Sequence, residues 1–162
     1  MQIKLVLFWF LYTLLAVWGQ YLFPRMDFLT PGLVVLLQLG SWHAAISLAV
    51  VWMLLQEGTA NLSFGVFILF YAGGGLFFYL SRVFFEVRNV LFAAVFLLFL
   101  TGLKMVLVQV MAPLQDLTPA AQMGFKIFLL QFGVYFGVWM LTYNSYHKWL
   151  DNESIPGKRS VT

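Results

Sequence analysis

The sequence contains no cysteine and few charged residues. Among its 162 residues there are 9 Lys and Arg and 6 Asp and Glu, so charged residues make up 9% of the chain. The absence of cysteine excludes disulfides, thiol catalysis and cysteine-ligated metal sites. Soluble domains contain about 25% charged residues. A chain with so little charge cannot cover its apolar surface with polar groups in water.

Apolar and aromatic side chains take the place of charge. Hydrophobic residues make up 62% of the chain and aromatic residues 19%, arranged in long runs with short interruptions. A membrane-spanning helix uses about 20 residues, which leaves room for roughly five or six spans and no soluble domain. The composition predicts an all-α, multi-pass membrane protein. Residues 1–147 would form a single compact helical domain, and residues 148–162 a short polar tail.

The apolar runs predict where the spans begin and end. They cover residues 3–22, 32–55, 63–80, 89–111 and 120–146. Thr30-Pro31 is a suitable helix start, because proline is tolerated in a first turn. The run 32–55 is either one tilted span or two short helices broken near residues 40–43. The first alternative gives five spans and the second gives six.

Lysine and arginine accumulate in the cytoplasmic loops of membrane proteins. Six spans with a cytoplasmic N-terminus leave only Arg25 outside among the loop and tail residues and place the others inside. Five spans with an external N-terminus exchange Arg25 and Lys4. Both alternatives place the Arg82–Arg88 loop and the tail in the cytoplasm, and so predict these two assignments more firmly than the span count. The basic residues inside in the six-span alternative are Lys4, Arg82, Arg88, Lys148, Lys158 and Arg159.

Three charged residues lie toward the opposite side. Lys104 and Lys126 are inside predicted helices, and Glu57 ends an apolar run. Ionisable residues within membrane segments are costly and often functional. Each lysine either extends its ammonium to the nearby surface or pairs with Glu57 or Asp116. Such a pair would line a polar cavity or bind the transmembrane helix of a partner, whereas Glu57 alone would be a solvated loop acid.

Small residues at helical spacing predict close helix packing. Gly133 and Gly137 form a Gly-x-x-x-Gly pattern, and a run of three glycines lies in another span. Small residues let helices approach closely in lipid. These positions predict internal packing or a subunit interface. They are Ser41, Ala45, Ala49, Gly73, Gly74, Gly75, Gly133 and Gly137.

The remaining polar residues in the spans are glutamines, and no catalytic pattern accompanies them. Interhelical amide hydrogen bonds account for Gln20, Gln38, Gln109 and Gln131. His43 and His147 are far apart, with no carboxylate at metal-ligand spacing. The sequence contains no nucleophile elbow or phosphate-binding glycine loop. No basic patch with surface aromatics suggests nucleic-acid binding. We therefore expect no enzyme, metal site or cofactor.

The middle of the chain resembles MreD-type rod shape-determining proteins. Thr30-Pro31-Gly32 and the apolar residues 33–37 are similar to the start of the second helix of that family. The segment 54–65, with Glu57-Gly58 and a following Leu-Ser-Phe-Gly, is similar to its turn between two helices, although MreD-like chains usually have an Asp at this turn. Ser81-Arg82 before an aromatic residue and Arg88 also fits the pattern. The resemblance covers residues 29–146.

The resemblance implies a fold and a function. It implies six helices arranged as in the substrate-binding subunits of vitamin transporters, and a location in the bacterial inner membrane among membrane lipids. It also implies a non-enzymatic scaffold in cell-shape control and peptidoglycan synthesis that binds the transmembrane helix of an MreC-like partner. A substrate-binding subunit of a small-molecule or vitamin transporter is the alternative function, because it shares the implied fold.

Overall fold

The computed structural model describes residues 2–23, 26–59, 65–111 and 125–151. Helices contain 87% of these residues, and no strand occurs among them. The all-α prediction is therefore confirmed at this level. The six helices in the described ranges are α1 (Gln2–Leu22), α2 (Thr30–Gln38), α3 (Trp42–Thr59), α4 (Val66–Ser81), α5 (Val90–Met111) and α6 (Phe125–Asp151).

Three of these helices are long and apolar enough to cross a membrane: residues Ile3–Leu22, Val90–Met111 and Phe125–Trp149. Helix α4 is also apolar but has 16 residues, which at 1.5 Å per residue is shorter than a bilayer core of about 30 Å. Helix α2 has 9 residues and cannot cross alone. The structure supports a membrane-embedded protein, with three clear spans rather than six.

Gly40 separates α2 from α3, so the run 32–55 contains two helices. Its φ of +72° lies in the left-handed region that favours glycine. The N–H groups of Gly40 and Ser41 donate to the carbonyls of Leu37 and Leu36. These bonds close the last turn of α2 in the manner of a glycine C-cap. Of the two sequence alternatives, the structure has the broken helix.

Several other helix ends differ from the predicted boundaries. Helix α3 continues to Thr59, so Glu57 is helical and not in a loop, and α4 begins at Val66. Helix α5 begins at Val90, and the side chain of Asn89 caps it by accepting a hydrogen bond from the Leu91 N–H at 3.0 Å. Helix α6 continues to Asp151, so residues 148–151 of the predicted tail are helical. The predicted start of this helix near residues 118–120 lies outside the described residues.

Consecutive helices run in alternating directions between two ends of the bundle. At one end, Phe8 near the start of α1 contacts Tyr146 near the end of α6, with ring centroids 5.7 Å apart. The α4–α5 turn lies toward this end too. Its Val87 carbonyl accepts from Gln38 at the end of α2 at 2.8 Å, and Gln38 in turn accepts from Trp139 in the second half of α6. We call this end the Arg82 end. The opposite end, where α1 passes into α2, is the Asp27 end.

Helix α2 occupies the centre of the bundle. It packs against α3, α5 and α6, most extensively against α6. Val34, Val35 and Leu36 are at most 1% exposed, as is Leu29 just before the helix. By contrast, one side of α1 is apolar and open, with Phe10 and Trp18 more than 60% exposed. A lipid environment accounts for this outward apolar surface, since water would disfavour it.

Candidate functional site: a buried carboxylate beside an apolar groove

Asp27 lies between α1 and α2 and is only 2% exposed. Its Oδ1 accepts hydrogen bonds from the backbone N–H groups of Leu29 at 2.9 Å and Thr30 at 3.2 Å. Its Oδ2 accepts from the Thr30 hydroxyl. The first N–H groups of a helix have no partner within the helix and favour a nearby negative charge. At the start of α2, the Asp27 carboxylate supplies both the hydrogen-bond acceptor and the negative charge.

Side chains from three other helices donate to the same carboxylate. Gln56 of α3 donates from Nε2 to Oδ1 at 2.8 Å, and Tyr135 of α6 donates from its hydroxyl to Oδ2 at 2.9 Å. Gln20 of α1 makes a longer contact with Oδ1, at 3.4 Å. Tyr71 of α4 joins the network by donating to Gln56 Oε1 at 3.0 Å. One carboxylate thus joins five helices.

This network serves to hold the segment that leads into α2. A carboxylate has about four lone-pair sites, and six donors surround that of Asp27, so its oxygens are saturated. Non-helical backbone within a bilayer is tolerated only when the protein satisfies its polar groups. Residues 26–29 are non-helical. The arrangement is that of a structural anchor, since the oxygens have no free position for a ligand.

Tyr12 completes the anchor from α1. Its hydroxyl donates to the Phe28 carbonyl at 2.6 Å and accepts from the Gly32 N–H at 2.9 Å. Gly32 is required here, because a Cβ at this position would lie 2.7 Å from Tyr12 Cζ and 2.9 Å from Trp52 Cη2. The Trp52 indole in turn donates to the Thr13 hydroxyl at 2.9 Å. These bonds attach α1 to α2 and α3.

A second polar cluster lies at the far end of α2. Gln38 is 4% exposed, and it accepts a hydrogen bond from the Trp139 indole at 2.7 Å. Its amide donates to Val87, as described above. Gln131 also bonds across helices, to the Asp27 carbonyl at 3.4 Å. The prediction of interhelical amide bonds is confirmed for Gln38, which bonds to Trp139 of α6, whereas Gln20 and Gln131 bond to Asp27 in the non-helical segment before α2.

An apolar groove opens beside the anchor, between α2, α3, α4 and α5. Its volume is about 170 Å³. Small side chains leave the space: Ala45 and Ala49 on α3, and Gly74 and Gly75 on α4. A Cβ on Gly75 would meet no atom within 4 Å. The groove is lined by Thr30, Leu33, Val34, Leu37, Trp42, Ala45, Ile46, Ala49, Phe70, Tyr71, Gly74, Gly75, Phe96 and Leu100.

The groove and the anchor share Thr30 and Tyr71. Both line the groove, and both donate their hydroxyl hydrogens away from it, Thr30 to Asp27 and Tyr71 to Gln56. Most of the remaining lining is hydrocarbon. The anchor therefore fixes the polar edge of a groove whose other walls offer close packing and little hydrogen bonding.

The three charged residues predicted to form a site do not come together. Glu57 Oε1, near the end of α3, accepts from the N–H of Gly65 just before α4 at 2.9 Å, while Oε2 is inaccessible and has no partner among the described residues. Lys104 lines a separate cavity of about 20 Å³ between α4 and α5 and interacts electrostatically with Asp27. Lys126 is exposed in the first turn of α6.

The predicted ion pairs must be corrected accordingly. Neither Lys104 nor Lys126 forms a salt bridge with Glu57, and the other predicted partner, Asp116, lies outside the described residues. Glu57 instead accepts a hydrogen bond from the backbone N–H of Gly65, a donor that precedes α4 and has no partner within that helix.

The predicted small residues have different environments. On α4, a Cβ at Gly73 would lie 3.0 Å from Leu103, and one at Gly74 would lie 2.9 Å from Leu100, so this helix approaches α5 closely. Gly133 and Gly137 are exposed, with nothing within 4 Å of a Cβ. Their face of α6 does not pack inside the described bundle. Ser41 is partly exposed near the start of α3, whereas Ala45 and Ala49 line the groove.

Sequence reasoning missed Asp27 as the centre of the site. In the sequence, Asp27 is an acid shortly after the first apolar run, and neither it nor Gln56, Tyr71 or Tyr135 carries a prediction of a site. One local signal is present in the sequence, because an Asp side chain can accept from backbone N–H groups shortly after it, as in an Asx turn, and Asp27 lies two positions before Leu29 and three before Thr30. Nothing in the sequence connects it to Tyr135, which is 108 positions away.

The described residues include no group of three or more His, Cys, Asp or Glu that could hold a metal ion. Fold and site define a helical membrane protein with a buried carboxylate anchor beside an apolar groove. No family model, curated protein or solved structure matches the chain. The resemblance to MreD-type proteins stays a prediction.

Proposed function

We propose that this protein is a non-enzymatic membrane scaffold of the MreD type, which binds the transmembrane helix of an MreC-like partner in the apolar groove. The observation that carries the proposal is the groove itself, an open space between four helices lined by Ala45, Ala49, Gly74 and Gly75. In lipid, helices associate mainly through close packing at small residues. The saturated Asp27 carboxylate supports a structural role for the polar core.

The size of the groove defines what part of a partner it receives. An apolar cavity of about 150 Å³ is large enough for a benzene molecule. The groove, at about 170 Å³, would take one or two large apolar side chains of a helix lying along α3 and α4. The helix backbone would remain outside the groove, over Ile46, which is 61% exposed.

The proposal includes six membrane passes in a bacterial inner membrane, with the Arg82 end in the cytoplasm. The alternating helices support this topology, with α2 and the segment before it forming one pass together. Described basic residues at the Arg82 end are Lys4, Arg82, Arg88 and Lys148, as expected for a cytoplasmic side. Glu57 and Asp27 lie toward the other end. The C-terminal tail would be cytoplasmic as well.

The alternative function, a substrate-binding subunit of a vitamin transporter, has weaker support. Binding sites for polar small molecules carry several convergent polar groups. In the groove, Thr30 and Tyr71 already donate their hydroxyl hydrogens to the anchor. A water-soluble vitamin would therefore find few partners, whereas apolar side chains fit the lining.

Affinity purification from native membranes, followed by mass spectrometry of proteins and small molecules, tests the proposal. We expect an MreC-like protein or other cell-wall-synthesis proteins with the wild-type chain. Gly75→Phe fills the groove without an internal clash at Cβ, and should lower this recovery about tenfold, the effect of about 1.4 kcal/mol of lost binding energy. Gly133→Phe, also in open space but on α6, is the matched control.

Several results would contradict the proposal. Recovery of no cell-wall-synthesis protein would refute the MreD-type function. Equal recovery with both phenylalanine variants would show that a partner binds elsewhere. A copurifying vitamin-like molecule that Gly75→Phe displaces would favour the transporter alternative.

A further inference from the structure

The turn between α4 and α5, residues 82–89, carries apolar side chains that are almost fully exposed. Val83 is 79% exposed and Phe84 is 82% exposed. The apolar surface continues onto both adjoining helices, where Leu80 is 54% and Leu91 is 62% exposed. Exposed apolar side chains thus lie on both helices and on the turn, where exposed Arg82, Glu86 and Arg88 stand beside Val83 and Phe84.

This turn is held in one conformation by hydrogen bonds. The Ser81 carbonyl accepts from the N–H groups of Phe84 at 3.1 Å and Phe85 at 2.9 Å. Asn89 caps α5, and Gln38 donates to the Val87 carbonyl in the turn. These bonds hold the backbone of the turn from which the exposed Phe84 side chain projects. The exposure of Phe84 therefore follows from the conformation of the turn.

Two arginines border the exposed apolar residues. Arg82 lies over the Trp42 ring, with its guanidinium carbon 5.6 Å from the ring centroid. This stacking leaves the guanidinium edge available, and a planar guanidinium binds phosphate through two parallel hydrogen bonds. Arg88 is exposed six positions later, with Glu86 between them. Neither arginine forms a salt bridge within the described ranges.

We propose that the 82–89 turn is a binding site for anionic phospholipid, in which Val83 and Phe84 enter the boundary between headgroups and acyl chains while Arg82 and Arg88 bind the headgroup phosphate. The two arginines and the exposed apolar side chains that lie between them in the turn together select this ligand. An apolar side chain flanked by basic residues matches the interface of an anionic leaflet. The inference is independent of the proposed function and of the groove.

The first experiment measures lipid preference. Delipidated protein in detergent is titrated with phosphatidylglycerol or phosphatidylcholine, and binding is followed by native mass spectrometry. Basic residues near an anionic surface contribute about 1 kcal/mol each, or about fivefold in affinity. Arg82→Gln with Arg88→Gln should therefore reduce the preference for phosphatidylglycerol by more than fivefold. Lys126→Gln with Lys148→Gln removes the same charge elsewhere and should leave most of the preference.

The second experiment measures depth. Because the chain has no cysteine, Phe84→Cys gives a single site for a fluorescent label. In vesicles of phosphatidylcholine with one-fifth phosphatidylglycerol, lipids brominated on the acyl chain should quench the label. Glu86→Cys, an exposed polar position in the same turn, provides the comparison and should be quenched less.

The outcomes distinguish a lipid headgroup from a free anion as the ligand of the turn. Equal loss of preference in the two charge-removing variants would overturn the proposal, because only total charge would then matter. Stabilisation of the protein by inorganic phosphate alone would show a free-anion site instead. A label at position 84 that iodide in water quenches, and brominated lipid does not, would also overturn the proposal and leave the turn as a surface for a soluble protein.

Discussion

Asp27→Ala should be among the most destabilising single substitutions in this protein. It removes a buried acceptor that serves two backbone N–H groups, of Leu29 and Thr30, and the side chains of Gln56 and Tyr135. The substitution leaves these donors in place without their partner. Donors buried in this way lose their hydrogen bonds to water and to protein at once.

The magnitude follows from the number of donors that lose their acceptor. Each unsatisfied buried group costs about 1–3 kcal/mol. The two backbone N–H groups cannot turn toward another acceptor without moving α2, so their combined cost is about 2–6 kcal/mol, to which the lost bonds of Gln56 and Tyr135 add. Typical domains have a free energy of unfolding of about 5–15 kcal/mol. Asp27→Ala therefore approaches the whole stability of the fold.

Asp27→Asn and Tyr135→Phe provide graded tests if the alanine variant does not fold. An amide at position 27 keeps the shape but presents an NH₂ group to donors. Tyr135→Phe removes one hydrogen bond to the carboxylate, for which about 1.5–3 kcal/mol is expected. We expect stability to fall in the order wild type, Tyr135→Phe, Asp27→Ala, with Asp27→Asn less stable than wild type.

Unfolding is followed in detergent micelles by tryptophan fluorescence during heating or denaturant titration. Glu86→Ala is the matched control, because it removes an exposed carboxylate from the α4–α5 turn. It should change the free energy of unfolding by less than about 0.5 kcal/mol. If Asp27→Ala were as stable as Glu86→Ala, the buried carboxylate would not anchor α2 and our reasoning would be wrong.

Two further substitutions test the packing around α2. Gly32→Ala places a methyl group within 3 Å of the Tyr12 and Trp52 rings, and overpacking of this kind should cost about 1–3 kcal/mol, measured by the same unfolding assay. Trp139→Phe removes the 2.7 Å hydrogen bond to Gln38 and leaves a buried acceptor without its donor, which should cost a further about 1–3 kcal/mol and lower the melting temperature.

Positions on the lipid-facing surface provide the controls for both variants. Gly133→Ala introduces the same methyl group where no atom lies within 4 Å. Trp18→Phe removes an indole that is 67% exposed. Both should leave the melting temperature nearly unchanged. Alanine has a higher helix propensity than glycine, so only a steric clash should make the alanine variant less stable. A loss of stability at Gly133 equal to that at Gly32 would therefore contradict the packing argument.

The sequence by itself determined that this protein lies in a lipid membrane and where most of its helices are. Its apolar runs, interrupted by few charges, predict α1 and α5 almost to their ends, and the long run that contains α6. They do so because about 20 apolar residues in a row have few stable states other than a spanning helix. The break at Gly40 was visible only as an alternative, since glycine also occurs within membrane helices.

Only the tertiary structure decided which polar residues work together. Lys104, Lys126 and Glu57 stand out in the sequence because charge in a membrane segment is rare. Their side chains lie apart, because each is on a different helix and its direction depends on how that helix is rotated. The rotation is set by packing, which a pattern of glycines such as Gly133 and Gly137 cannot fix alone.

Asp27 shows the converse. In the sequence it is an acid at the end of a span, where water would be the expected partner. In the fold, the short α2 is central and its start is buried among the other helices, so that Gln56 and Tyr135 from distant parts of the chain converge on the carboxylate. The composition determines that the protein lies in a membrane. The packing of five helices around Asp27 determines that this residue, at the end of an apolar run, is a buried anchor.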